Sequence, residues 1–242
     1  QFRADFFFRI LMDVLYYVVN IGFFELVLNH TPRIGALDAH QSRAFVATFL
    51  WMDSIYMTFF SSSLWLFPET IRSGKFDSTL VRPISPLFLT LFTDFSPGSF
   101  VNFLMATGIL IWGLSGLEST PSAGSVLVLI ALMLCGTLLI LAVRVLFLMP
   151  AFWITQVDAF RDLSWTLQQV GERPSAIYPT GFRLFFTYAL PILTAIALPA
   201  ETFLGGLQAG GIATILGMTI AAWLLLVLVW RRGLRAYSSA SS

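Results

Sequence analysis

The sequence predicts an all-α polytopic membrane protein with about six transmembrane helices. Three observations lead there. Of the 242 residues, 57% are hydrophobic and 11% are charged, whereas soluble domains run near a quarter charged. The mean hydropathy is +0.82. Apolar residues fall into blocks of about 20, the length of one helical crossing, with short polar stretches between them. A chain of this composition cannot cover its surface in water. The net charge of +1 leaves no large basic face for nucleic acid, so the expected surroundings are membrane lipid, with no nucleic-acid partner.

The first block covers about 6–28, flanked by Arg3 and Arg9 and closed by the turn formers Asn29, Thr31 and Pro32. It carries Asp13 and Glu25, and charges inside a span almost never face lipid. A polar loop follows with both histidines, His30 and His40. Neither has the Cys or carboxylate spacing of a metal site. The second block, about 45–67, holds Asp53 and the small-residue run Ser61-Ser62-Ser63, which suits a close helix–helix face. Asp53 either lines a path or serves as a buried, hydrogen-bonded packing residue.

Residues 68–86 form a short, polar, basic stretch between two apolar blocks, and the rest of the chain is arranged around it. A helix starting with Pro68 at its first position loses no hydrogen bond there. Glu69 then lies in the first turn, where a carboxylate suits the helix dipole. Gly74 can end the helix with a left-handed residue. Asp77, Arg82, Pro83 and Pro86 keep the chain at the surface and turn it back. The result is a small helix and a tight return exposing Arg72, Lys75 and Arg82. That form suits either docking of a soluble partner or a solvated loop that only sets topology.

Residues 87–93 are apolar but too short to span, which predicts an in-plane interfacial helix. The third span is about 99–116 and the fourth about 125–143, joined by a turn over 118–124. Arg144 closes the fourth and is expected to snorkel to the interface. Cys135, the single cysteine, lies in an apolar run and reads as a packing residue.

The stretch 146–170 admits two arrangements. In one it is a fifth span with a polar face, because Asp158, Arg161 and Asp162 share a helical face at spacings of three and four. The Pro-interrupted region 174–206 is then an outer re-entrant or interfacial hairpin. In the other, 146–183 is a cytoplasmic loop and 184–204 is the fifth span. The last span is about 209–230. Arg231, Arg232 and Arg235 follow it at once and mark a cytoplasmic end. With six spans, both termini and the Lys75 loop are then cytoplasmic. No repeat or separate soluble domain interrupts this single domain of 1–242.

The run Ile71, Gly74-Lys75-Phe76-Asp77, Leu80-Val81-Arg82-Pro83-Ile84-Ser85 resembles the first cytoplasmic loop of type-2 ATP-binding-cassette permeases. Further points of similarity are Phe152-Trp153, Arg173 to Pro179, Leu190-Pro191, Leu198 to Glu201 and Trp230 to Ser238. They cover most of the chain in the family's order. The resemblance implies that this loop, with Glu69, Ile71, Arg72, Gly74, Lys75, Phe76, Asp77, Leu80, Arg82 and Pro83, carries a coupling helix that touches an ATPase subunit. It favours the broken outer hairpin before the last span. It also implies a second permease subunit, identical or related, in a bacterial cytoplasmic membrane. Family members usually begin with a basic amphipathic stretch, so a short segment is expected ahead of Gln1.

The chain has no GxxxxGK[ST], GxSxG or HExxH motif. ATP and magnesium are therefore expected in a separate cytoplasmic ATPase dimer, and no catalytic residue is expected here. The leading reading is the permease subunit of an exporter working by alternating access, with Asp158, Arg161 and Asp162 lining its cavity. A wide apolar cavity suits lipids, lipid-linked sugars, hydrophobic drugs or peptides. Two other classes fit the residues: a membrane-embedded lipid enzyme using Asp158 and Asp162 as acid/base or metal ligands, and a scaffold subunit that does not transport.

Overall fold

A computed structural model describes residues 2–94, 99–154 and 158–237. The described residues are all-α apart from one hairpin of two-residue strands. Helix α1 (Phe2–His30) leads through paired strands β1 (Arg33–Ile34) and β2 (Leu37–Asp38) to α2 (Ala39–Phe59). Asp38 starts α2 with a reciprocal cap: its carboxylate accepts from the Gln41 N–H at 2.8 Å, and Gln41 Oε1 accepts from the Asp38 N–H at 3.2 Å. Then come α3 (Ser61–Arg72), α4 (Asp77–Leu80), α5 (Pro86–Leu91), α6 (Ser99–Ser115) and α7 (Ala123–Leu148). The amphipathic α8 (Asp158–Gln168), α9 (Thr180–Leu184), α10 (Ile192–Leu204) and α11 (Ala209–Ala236) complete the chain.

Among the described residues, three helices are long and apolar enough to cross a membrane: α1 from Ile10, α7 with the 3₁₀ turn after it, and α11. Two bent pairs qualify as broken spans. The segments α2 and α3 meet at 45°, and the α9 segment Thr180–Ala189 meets α10 at 101°. Residues 100–115 of α6 are apolar but shorter. The protein is thus a polytopic membrane protein, as its composition predicts.

The central helix is α2, buried along most of its length between α6, α7 and α10. Trp51 Nε1 donates to Thr107 Oγ1 of α6 at 3.1 Å. At Phe60 the chain bends into α3. Hydroxyls around the bend donate to carbonyls one turn back, Thr58 to Ser54 and Ser61 to Met57, and such back-bonding bends helices. The serine run therefore serves the bend. Ser63 also accepts from the Asp94 N–H at 2.9 Å, tying the approach to α6 onto α3.

Several expectations are corrected. Pro68 lies inside α3, whose start is eight residues earlier than Glu69 at Ser61. Leu64, Phe67 and Ile71 are buried on one face, and their packing carries the helix across the missing N–H. Glu69 therefore sits in the last turn, not the first. Arg144 does not close a helix or snorkel. Helix α7 continues through Leu148, and Arg144 is 4% exposed. The block 146–170 is not one helix either. Its first residues finish α7 and a 3₁₀ turn over Met149–Phe152 opened by Pro150, which has no N–H to continue the α pattern. A separate short helix, α8, follows.

The chain nevertheless runs from one end of the bundle to the other between Phe152 and Ala176. Phe152 packs on Phe76 and Trp230, whereas Ala176 lies against Gly35 in the α1–α2 hairpin. The glutamate of α10 fastens the second end: Glu201 accepts from the Ser175 N–H at 2.6 Å and from its hydroxyl at 2.7 Å. The segment Thr180–Ala189 and α10 leave that end and return to it.

Candidate functional site

The 68–86 stretch is held in place by one aromatic side chain. After Arg72 the chain turns at Gly74, whose φ of 73° favours a residue without Cβ. The Phe76 N–H then bonds back to Thr70 O at 3.0 Å. This aims the Phe76 ring inward, where it is 1% exposed. It meets Phe67 of α3, Phe152 after α7, and Trp230 and Tyr237 at the end of α11, with ring centres 5.4–6.2 Å apart and steep edge-to-face angles. Such pairs contribute about 0.5–1.5 kcal/mol each beyond area burial. Phe152 reaches the cluster over Gly233, where a Cβ would stand 2.4 Å from its ring. Burial and the neighbouring Asp77 carboxylate push the Tyr237 hydroxyl above its usual range.

The outer surface of this stretch has a different character. Arg72, Lys75, Arg82 and Pro83 are exposed, as are the apolar side chains Leu80, Val81 and Ile84. Val81 is 83% exposed. Arg72 donates to Glu69, offsetting a carboxylate that the C-terminal end of a helix dipole disfavours. Of the residues the resemblance assigns to coupling, Ile71 and Phe76 are buried and anchor the stretch from inside. The basic residues Arg231, Arg232 and Arg235 follow Trp230 at this same end of the bundle.

One turn further along α3 lies a cavity of about 1130 Å³. Its walls come from α1, α2, α3, α6, α7 and α8. Asp53 and Tyr56 face it from α2, Trp65 from α3, Arg144 from α7, and Trp165 from α8. Tyr16, Tyr17 and Asp13 close the α1 side. The Arg144 guanidinium stacks over the Tyr56 ring at 3.7 Å and stands 5.2 Å from the Trp165 ring centre. Asp53 is near enough to interact with Arg144 electrostatically, and its Oδ1 accepts from Gln168 Nε2 at 3.1 Å.

The candidates from 158–162 fall as follows. Arg161 and Asp162 both line this cavity. Arg161 stacks on the Trp65 ring at 3.9 Å, and its Nε lies 3.8 Å from Asp162 Oδ1. Asp158 opens α8, but its side chain lies outside the described residues. Sequence reasoning missed Arg144 and the aromatic walls. A signal existed for Arg144: the apolar run continues past it to Leu148, so the helix had no reason to end there. Nothing in the sequence pairs it with Tyr56, 88 residues earlier. Among the described residues, no three of His, Cys, Asp and Glu gather as a metal site.

Two features of α3 connect these places. It carries Trp65 in the cavity wall and Arg72 at the exposed end, seven positions apart, or about 10 Å of helix. Compared with known families, residues 14–241 match the family described as ABC-2 family transporter protein. No curated protein and no solved structure matches the chain.

Proposed function

The chain belongs to the ABC-2 family of transporter proteins and is a permease subunit of an ABC transporter, and from that premise we propose that it drives export by passing ATPase movement along α3. The observation that carries this reading is that one helix, α3, leads from the cavity wall at Trp65 to the exposed stretch that begins at Arg72. The ATPase is a separate soluble subunit that holds ATP and magnesium. It docks on Arg72, Lys75, Arg82 and the exposed Leu80, Val81 and Ile84, and a mixed basic and apolar face of this kind suits a protein partner.

When two ATPase subunits close on ATP, the docked stretch moves with them. Phe76 cannot slide freely, because it is wedged between α3, the end of α7 and α11. Its movement therefore turns these elements together. The bend at Phe60 lets α3 swing relative to the tightly packed α2, and Trp65 moves with it. Two permease subunits, identical or related, would thus expose the cavity to alternate sides. The basic end, with Arg72, Lys75, Arg82 and the Arg231 group, faces the cytoplasm. That places both termini inside, with six crossings made by α1, α2–α3, α6, α7, the 153–176 segment and α11. The 180–204 hairpin is re-entrant from the outside of a bacterial cytoplasmic membrane.

The test is charge reversal. Purification of the intact transporter from native membranes captures an ATPase carrying GxxxxGK[ST]. Arg72→Glu with Lys75→Glu releases that ATPase and stops transport, while the variant still enters the membrane at normal levels. Retention of both partner and transport by the double variant sinks the proposal.

A further inference from the structure

The outer side of α11 changes character along one stripe. Leu224, Leu225 and Leu228 are exposed, as the lipid-facing residues of a span are. Arg231, Arg232 and Arg235 continue the same face toward the helix end, at steps of three, four and seven residues, and all three are exposed. The opposite side of the helix is the packed one. Leu226, Trp230 and Gly233 are buried there, with Trp230 against Phe76. The arginines therefore point away from the bundle. From Leu224 to Arg235 is about 16 Å of helix, comparable with one leaflet of a hydrocarbon core about 30 Å thick.

No carboxylate of the chain balances these charges. Among the described residues, Arg231, Arg232 and Arg235 make no hydrogen bond and no ion pair, and α11 contains no Asp or Glu. Arg43 and Arg72, by contrast, each meet a glutamate. Arg231 and Arg235 are four apart and Arg232 and Arg235 three apart, so like charges stand as neighbours on the helix surface, which is destabilising. The negative end of the helix dipole offsets part of that. Each guanidinium also presents its N–H donors as a fork shaped for an oxyanion. Three such forks side by side suit a phosphodiester.

We propose that this stripe binds an anionic phospholipid of the surrounding membrane, its phosphodiester head among Arg231, Arg232 and Arg235 and its acyl chains along Leu224, Leu225 and Leu228. Charge alone also fits an acidic protein. The exposed leucines directly behind the arginines favour the lipid, because a single amphiphile completes both halves of the stripe. Trp230 and Tyr237 hold Phe76 on the other side of the helix, so the lipid and a partner docked on the 72–84 surface use different faces. The proposal goes beyond the permease reading and needs only a span with a basic end.

The test measures binding of fluorescently labelled phosphatidylglycerol to the purified full chain in non-ionic maltoside micelles. Unlabelled phosphatidylglycerol, phosphatidylcholine and inorganic phosphate are the competitors. Binding saturates, and only unlabelled phosphatidylglycerol displaces the label. The triple variant Arg231→Gln, Arg232→Gln and Arg235→Gln weakens binding about tenfold or more, since each arginine beside an anionic lipid is worth about fivefold. Arg72→Glu with Lys75→Glu, at the same end of the bundle, leaves binding within about threefold of the parent. Equal displacement by phosphatidylcholine overturns the proposal, and so does displacement by inorganic phosphate, which makes the ligand a free anion. A smaller loss in the triple variant, or an equal loss in the Arg72 and Lys75 variant, overturns it too. Should the triple variant fail to reach the membrane, a benzophenone maleimide on Ala236→Cys in a Cys135→Ala background decides in the intact transporter. Cross-linking to phosphatidylglycerol supports the lipid, and cross-linking to protein alone overturns it.

Discussion

Phe76 stands edge-on to Trp230, their ring centres 6.1 Å apart and their planes at 77°. One residue belongs to an exposed stretch between spans and the other to the last helix, 154 positions later. Their contact makes the surface stretch part of the bundle. Phe76→Ala therefore removes a nearly fully buried ring from a cluster of four others, at about 3–5 kcal/mol. Thermal denaturation in detergent is expected to shift down clearly, and trypsin to cut faster after Arg72, Lys75 and Arg82. An unchanged cleavage rate would show that the ring does not anchor the stretch.

Gly233 is the seat on which Phe152 rests. Gly233→Ala places a methyl group where the ring already lies, so Phe152 and the 3₁₀ turn carrying it must move. The overpacking is expected to cost about 1–3 kcal/mol. The paired change Gly233→Ala with Phe152→Leu should recover part of the lost melting temperature, because the smaller side chain vacates the space.

Asp53→Asn keeps an oxygen for Gln168 but removes the negative charge beside Arg144. Removing a carboxylate that interacts with a buried guanidinium is destabilising. The variant is expected to melt lower than the parent. Thermal denaturation of the two proteins in detergent reads the effect.

At the other end of the bundle, Glu201 takes two hydrogen bonds from Ser175. Glu201→Gln weakens both, since a neutral acceptor replaces a charged one and one oxygen becomes a donor. A loss of about 1–3 kcal/mol is expected locally. Hydrogen exchange should rise in 174–180 and stay unchanged in α4, at the other end of the bundle.

The orientation is checked by accessibility. In a Cys135→Ala background, Lys75→Cys should react with a membrane-impermeant maleimide only after cells are opened, and Arg33→Cys should react in intact cells. The reverse pattern would invert the assignment of both ends.

Much of this was legible in the sequence, for a physical reason. Whether a stretch of chain favours lipid is a sum over its own residues. The apolar blocks, the long final helix and the basic end after Trp230 could therefore be read one residue at a time. Gly74 was legible too, because a left-handed turn needs a residue without Cβ wherever it occurs. The family also left its pattern in the order of short motifs. Helix α3 resisted the same reading. Pro68 argues locally for a start, yet a buried face of Leu64, Phe67 and Ile71 overrides it, and that face exists only against the rest of the bundle.

The sequence by itself determined the class of the protein, its place in a membrane and which stretch lies exposed between spans. Only the tertiary structure decided what the charged and aromatic side chains do there. Arg144 at the edge of an apolar run has two outcomes of similar local merit, the interface or the interior. Tyr56 and Trp165, brought from distant helices, supply the surfaces that hold it inside. Phe76 likewise reads as a loop residue until Phe67, Phe152, Trp230 and Tyr237 converge on it. Most of these contacts join residues more than 70 positions apart, and their energy appears only when the chain has closed on itself.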